Sequence, residues 1–313
     1  MKPGHYLALA GGVGGARLAA GLARALPAGH LTVAVNTGDD FDHVGLHVAP
    51  DIDTVTYTLA GINNAEQGWG IGGESWAAMG ALTRLGGPDW FLLGDQDLAT
   101  HILRTQRMRA GETLSAITAD FAARLGISQT IVPMSDDPVR SIVETDEGTL
   151  PFQEYFVRRR CEPRFRSIRF EGAETARPAA GLLAALDDPA LAGIILCPSN
   201  PILSVRPILS LPGIADRLRA RRVPIVAVSP FIGAKAVKGP AGKIFAELGL
   251  APTPSGLIAC YDGLIDGLVI DHEDTDAACP VRRHVTGTLM RDSDDQTRLA
   301  REVLDFTTAL HAG

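Results

Sequence analysis

Carboxylates crowd into two short runs of this chain, Val35-Asn36-Thr37-Gly38-Asp39-Asp40 and, about a dozen residues on, Pro50-Asp51-Ile52-Asp53-Thr54. Four aspartates so close repel one another unless a cation stands among them or water surrounds them. Beside a phosphate they have a use. Mg2+ takes carboxylate and phosphate oxygens together and neutralises the charge that develops on a diphosphate leaving group. Asp39, Asp40, Asp51 and Asp53 are therefore candidates to hold a divalent metal, the alternative being a solvated acidic loop. In extended chain Asp51 and Asp53 would face the same side.

A phosphate-type turn lies just upstream. Gly11-Gly12-Val13-Gly14-Gly15 lets backbone amides approach an anion at a helix N-terminus. No Gly-Lys-Ser/Thr follows, so this is not a Walker loop, and Arg17 stands where a dinucleotide fingerprint has its third glycine. Further polar groups follow apolar runs. They are Asp95 and Asp97 with His101, then Ser135 with Asp136 and Asp137. In the second half come Ser199, Asn200 and Pro201, then Ser229 with Pro230. Lys235, Lys238 and Lys243 lie near one glycine-bearing loop and are candidate phosphate contacts. Asp95 or Asp97 would equally serve as a helix cap. No Ser/His/Asp order or Cys/His pairing suggests covalent catalysis.

The elements that must position these groups read as α/β. Tyr6–Ala10 is a buried strand, Ala16–Leu26 a helix with leucines at i, i+4 and i+8, and Leu31–Val35 a second strand. Ile52–Ala60, Glu74–Leu85, Leu98–Arg109 and Thr113–Leu125 read as helices. Trp90–Leu93, Gln153–Val157 and Ser167–Phe170 read as strands. From Ile194 the pattern returns, with strands at 194–196, 224–228 and 268–270 and a final helix over 294–310. One Rossmann-like, doubly wound, mostly parallel sheet spanning 1–313, with a mixed, helical insertion at about 54–190, fits better than two domains.

Bulk properties agree. The chain has 313 residues, 46% hydrophobic and 21% charged, with a net charge of −7. That balance argues against a nucleic-acid partner, which needs a basic face. There is no apolar run long enough for a membrane span or a secretory signal. Cys161, Cys197, Cys260 and Cys279 are scattered, which points to reduced thiols and a cytoplasmic setting.

Nine segments in order resemble the 2-phospho-L-lactate transferase family of coenzyme F-420 biosynthesis. They are Gly11-Gly-Val-Gly-Gly-Ala16, Asn36-Thr-Gly-Asp-Asp40, Pro50-Asp-Ile-Asp-Thr54, Gly68-Trp-Gly70, Leu93 to His101, Pro133 to Pro138, Phe152-Gln-Glu154, Pro198-Ser-Asn-Pro201 and the loop from Ser229 to Ala241. The resemblance implies an Mg2+-dependent, often dimeric Rossmann-type enzyme. Its ribityl acceptor, the deazaflavin Fo, would attack the phosphorus of a guanosine diphosphate-linked phospho-acid, and GMP would leave. By the same resemblance Asp39 or Asp40 with Asp53 would hold the metal, and Asp53 or Asp51 would lie near the attacking hydroxyl. The glycine turn, Ser199, Asn200, Pro201, Ser229 and Lys235 would hold the GMP side. Met134, Ser135 and the Trp69 region would face the deazaflavin, with Asn36, Thr37, Asp95, His101 and Asp136 completing the substrate contacts. Gln96 departs from the family pattern, in which arginine is common. The donor acid stays open among 2-phospholactate, phosphoenolpyruvate and 3-phosphoglycerate. Competing readings are an NAD(P)-dependent oxidoreductase and a nucleotide-sugar-binding regulatory protein.

Overall fold

A computed structural model describes residues 4–237 and 239–312. The chain opens with strand β1 (His5–Ala10), helix α1 (Gly12–Ala25) and strand β2 (Leu31–Val35). Helix α1 begins four residues before the helix expected at Ala16, so Gly12, Gly14 and Gly15 form its first turn. Five more strands complete the central sheet: β3 (Thr130–Pro133), β4 (Leu191–Leu196), β5 (Ile225–Val228), β6 (Gly267–Ile270) and β7 (Arg282–Val285). The spatial order is β3-β2-β1-β4-β5-β6-β7, and every neighbouring pair is parallel. The order therefore reverses between β1 and β4. At such a switch point the loops leave in opposite directions and open a crevice beyond the carboxyl ends of the strands.

Parallel strands covered on both faces read as continuous apolar runs, and these do. Leu7, Leu9, Ile194, Leu196 and Ile225 point into one core, while Ala8, Ala10, Ile195 and Val226 point into the other. The second core is closed by α5 (Ser293–Ala312) lying on α1. Contact there is so close that a Cβ on Gly21 would be driven into the carbonyl of Gln296.

Between β2 and β3 the chain makes a hairpin (Phe41–His43 with Leu46–Val48), α2 (Pro50–Ala60), a short helix (Ala77–Arg84), α3 (Asp95–Arg109) and α4 (Leu114–Arg124). Helix α2 starts earlier than its apolar pattern because Pro50 sits at its first position with Asp51 and Asp53 in the first turn, and Gly61 ends it at φ 70°. Thr113 caps α4 by accepting from the Ala116 amide at 3.2 Å. Between β3 and β4 stands a three-stranded antiparallel sheet centred on Arg140–Thr145.

Two expected strands are not strands. Trp90–Leu93 is irregular, and its apolar run packs sideways: Phe91 meets Phe41 at 4.8 Å between ring centroids, and Leu93 joins Val48 and Met79. Residues 154–158 form a wide helical turn in place of the strand expected at 153–157. A short apolar run buries equally well in a loop, a turn or a strand, so periodicity alone does not decide. No helix among the described residues is long and apolar enough to cross a membrane.

Candidate active site

The glycine turn closes the switch point. Gly11 donates its amide to Ser199 Oγ at 3.2 Å and accepts the Ser199 hydroxyl on its carbonyl at 2.7 Å. A Cβ on Gly14 would strike the Pro198 carbonyl oxygen, and one on Gly15 the Ser199 hydroxyl. These glycines are thus required by the loop after β4, which leans on the turn. Gly12, at φ +64°, donates to Asp51 Oδ1 at 2.7 Å. Among the described residues the Val13 and Gly14 amides keep no partner, since the first-turn donors of a helix have none within it. The anion-binding capacity of this 14-residue helix lies there.

Asp51 is the hinge between that turn and the second strand. Its Oδ2 accepts from Asn36 Nδ2 at 2.9 Å, and Asn36 Oδ1 accepts from the Gly38 amide at 2.8 Å. Burial raises the Asp51 carboxyl to about 6, against the pull of the Asn36 and Gly12 donors. Asp39 and Asp40 follow the same strand and are also buried. Burial pushes Asp39 well above the ordinary range, the charge of Asp51 pushes it further, and the Ser141 hydroxyl opposes. Burial also raises Asp40, partly offset by His47, whose Nε2 lies 3.3 Å from Asp40 Oδ2. Gln153 Nε2 holds the Asp39 carbonyl at 3.1 Å. One carboxylate oxygen of Asp39, one of Asp40 and the Thr37 hydroxyl are buried without a hydrogen-bond partner among the described residues. Unpaired oxygens with raised carboxyl pKa values are what a hard, oxygen-seeking cation would satisfy.

Asp53 has a different environment. On a helix, residues two apart point about 200° apart, so the expectation that Asp51 and Asp53 share a side is corrected. Asp53 turns to α3 and accepts both terminal nitrogens of Arg104, with Arg104 Nη1 3.0 Å from Oδ2. His101 Nδ1 lies 3.7 Å from the same oxygen, and its Nε2 is 3.2 Å from Asp97 Oδ1. Tyr57 donates to Asp97 at 2.7 Å. Each Asp53 oxygen is thus already paired with a buried guanidinium, which supplies beside it the positive charge that a metal would bring.

A cavity of about 430 Å3 opens beside the acids at the carboxyl ends of β2 and β3. Its wall includes Thr37, Asp40, His47, Ser135, Asp136 and Arg140. A volume of this size suits a small polar ligand or part of a larger one.

The model of the 2-phospho-L-lactate transferase CofD family matches residues 7–306. The chain belongs to this family. It is similar to a protein of Streptomyces griseus named phosphoenolpyruvate transferase, 41% identical over 319 residues, covering 98% of this chain and 100% of that one. It is also similar to a 2-phospho-L-lactate transferase of Methanopyrus kandleri, 44% identical over 308 residues, covering 96% and 97%. Among solved structures, protein BH3568 of Bacillus halodurans shares the fold, with a TM-score of 0.65 at 14% identity over 97% of this chain and 100% of that one. The chain is a transferase of the CofD family, and its α/β fold is the one the strand pattern predicts.

Within this CofD-family site the remaining predicted residues separate. Asn200 sits at the switch point, its Oδ1 accepting from Ile202 and Leu203 while its Nδ2 is buried without a partner among the described residues. Pro201 is buried beneath it. Ser135 lines the cavity with its hydroxyl spent on the Arg177 carbonyl at 2.7 Å, and Asp136 caps α4 through Ser115. The Met134 side chain is fully buried in the core. Asp95 is half-buried and caps the helix 77–84 through Ser75, Ala77 and Ala78, while Glu74 caps α3 in return through the Gln96 and Asp97 amides. That exchange gives Asp95 a capping role. Ser229 bonds back to Phe231 in its own turn. Lys235 is exposed on a two-residue strand, Lys243 is bound to Glu247 and the Pro163 carbonyl, and Lys238 lies outside the described residues. Trp69 is 40% exposed and packs edge-on to Trp76. Sequence reasoning missed Arg104, Ser141 and Gln153. The signal for Arg104 was present: Asp97, His101, Arg104 and Thr105 form a polar stripe at helical spacing, and such a stripe buries only when its members pair.

Proposed function

We propose that this transferase moves a phospho-acid group from a guanosine diphosphate-linked donor to the ribityl hydroxyl of the deazaflavin Fo, releasing GMP, as a step of coenzyme F-420 biosynthesis. The observation that carries the reading is the gathering of Asp39, Asp40 and Asp51, with Asp51 holding the Gly12 amide of the turn whose Val13 and Gly14 amides are unpartnered among the described residues. Three buried carboxylates with raised pKa values ask for a cation, and the amides ask for an anion. A divalent metal with a diphosphate answers both.

Mg2+ would be held by Asp39 and Asp40, with Asp51 steering it from behind the glycine turn, and when bound it would neutralise diphosphate charge. Asp53, already paired with Arg104, would join that set by sharing an oxygen with the ion. The chain's own residues do the rest by position. Val13 and Gly14 direct a phosphate, and Ser199 and Asn200 hold the loop that faces it. The cavity lined by Thr37, His47 and Ser135 receives part of the ligand pair. Such a displacement on phosphorus needs alignment and charge stabilisation more than a strong base. The names of the relatives carry two different acids, so the donor acid is a choice for experiment. A cytoplasmic homodimer acting on small molecules, away from nucleic acid and membrane, completes the reading.

The test is to incubate the protein with Fo, Mg2+ and each of the guanylated 2-phospholactate, phosphoenolpyruvate and 3-phosphoglycerate donors. Mass spectrometry should find GMP and a phosphodiester of Fo with one of them. No product from any donor would remove the proposal.

A further inference from the structure

Arg104 is among the largest fully buried side chains of the protein, at 1% exposure. An arginine at this depth must have its charge met by partners. Its surroundings are unusual. Asp53, Asp97 and His101 offer ligand atoms within 4.8 Å of one another, the donor set of a divalent-metal site. Arg104 fills that set. It forks onto both oxygens of Asp53, comes within 3.2 Å of His101 Nδ1 and donates to the His47 carbonyl at 3.5 Å. The guanidinium supplies the positive charge that three such groups would otherwise draw from an ion.

The same side chain ties three elements together. It rises from α3, grips α2 through Asp53, and reaches the hairpin strand Leu46–Val48 through His47. His47 in turn touches Asp40, and α2 also carries Asp51. A shift of Arg104 therefore shifts the carboxylates of the acid site against one another.

We propose that Arg104 is the positioning residue of this site, an internal cation that occupies the Asp53–Asp97–His101 cluster, keeps divalent ions out of it and so confines metal to Asp39 and Asp40. The confinement rests on the Mg2+ reading given above, whereas the exclusion stands on its own.

Co2+ is the probe for exclusion, because ligation by an imidazole changes its visible absorption. Wild-type protein should show no Co2+ band that His101→Ala removes. Arg104→Met should gain such a band and lose it again when His101→Ala is added. A His101-dependent band in the wild type, or a folded Arg104→Met without one, overturns the proposal. Arg104→Lys tests positioning, since it keeps the charge without the fork. Its Mg2+ affinity by calorimetry should fall at least tenfold with the thermal midpoint nearly retained. Unchanged Mg2+ affinity would reduce Arg104 to a structural role. Absence of Fo transfer in the wild type would remove the proposed function and leave the Co2+ result standing.

Discussion

Asp51 and Asp53 stand two positions apart on the first turn of the same helix and serve opposite ends of the site. Asp51 accepts from the Gly12 amide at 2.7 Å and the Asn36 side chain at 2.9 Å, neutral donors that leave its charge uncompensated. Asp53 accepts a fork from Arg104 and is compensated. Helix α2 thus turns one carboxylate to the phosphate-type turn and the other to an internal counter-ion. The helical twist is what separates the two jobs.

Stability should depend on pH and Mg2+ together. The folded-state pKa of Asp51 is raised from 3.8 to about 6, and burial raises Asp39 and Asp40 in the same direction. The folded protein therefore binds more protons than the unfolded chain between about pH 4 and 6, and stability falls as pH rises through that window. For Asp51 alone the loss is on the order of 3 kcal/mol by pH 7, at about 1.4 kcal/mol per pKa unit. A cation that pairs with the ionised acids offsets it. In EDTA the thermal midpoint should drop from pH 5 to pH 7.5, and Mg2+ should restore it at pH 7.5 with little effect at pH 5. An EDTA profile that rises with pH would refute this account.

Asp53→Asn should strike the fold before the chemistry. Removing one partner leaves Arg104 buried and uncompensated, a loss of about 3–5 kcal/mol. Chemical denaturation should show the midpoint falling with an unchanged slope. Replacing both partners, Asp53→Leu with Arg104→Met, should recover much of the loss, because an apolar pair has no charge left to compensate. Equal destabilisation of the single and double variants would show that the ion pair is not the source.

Much of this was legible in the residues. The runs at 194–196 and 268–270 are continuous apolar segments and Leu31–Val35 is broken only by Thr32, and a strand buried on both faces has few other ways to look. The glycine turn was visible as well, although not that Gly14 and Gly15 serve the approach of Pro198 and Ser199 from the other half of the sheet. The facing of Asp51 and Asp53 depended on where α2 starts, and Pro50 marks that start more surely than the apolar pattern does. Arg104 was hidden because its partner lies 51 residues away, and no local rule announces a buried charge whose compensation is that distant. Strand β7 was hidden for another reason. Arg282, Arg283 and His284 are edge residues, and edge strands carry charge that breaks the apolar alternation.

Two glycines of α1 should separate stability from ligand binding. Gly21 faces α5, where an added methyl group meets the Gln296 backbone, and Gly14 faces the Pro198 carbonyl at the switch point. Overpacking against backbone forces a shift worth about 1–3 kcal/mol in either case. Gly21→Ala pushes α5 outward, away from the site, so its thermal midpoint should fall while KM for the guanylated donor stays near the wild-type value. Gly14→Ala pushes the Pro198–Ser199 loop away from the Gly11 turn and breaks the bonds at 3.2 and 2.7 Å that join them. It also places a methyl group beside one of the two free amides. Its KM should rise tenfold or more for a similar loss of stability. Thermal unfolding and steady-state kinetics on both variants check the contrast, and equal KM values would show that the turn does not hold the donor.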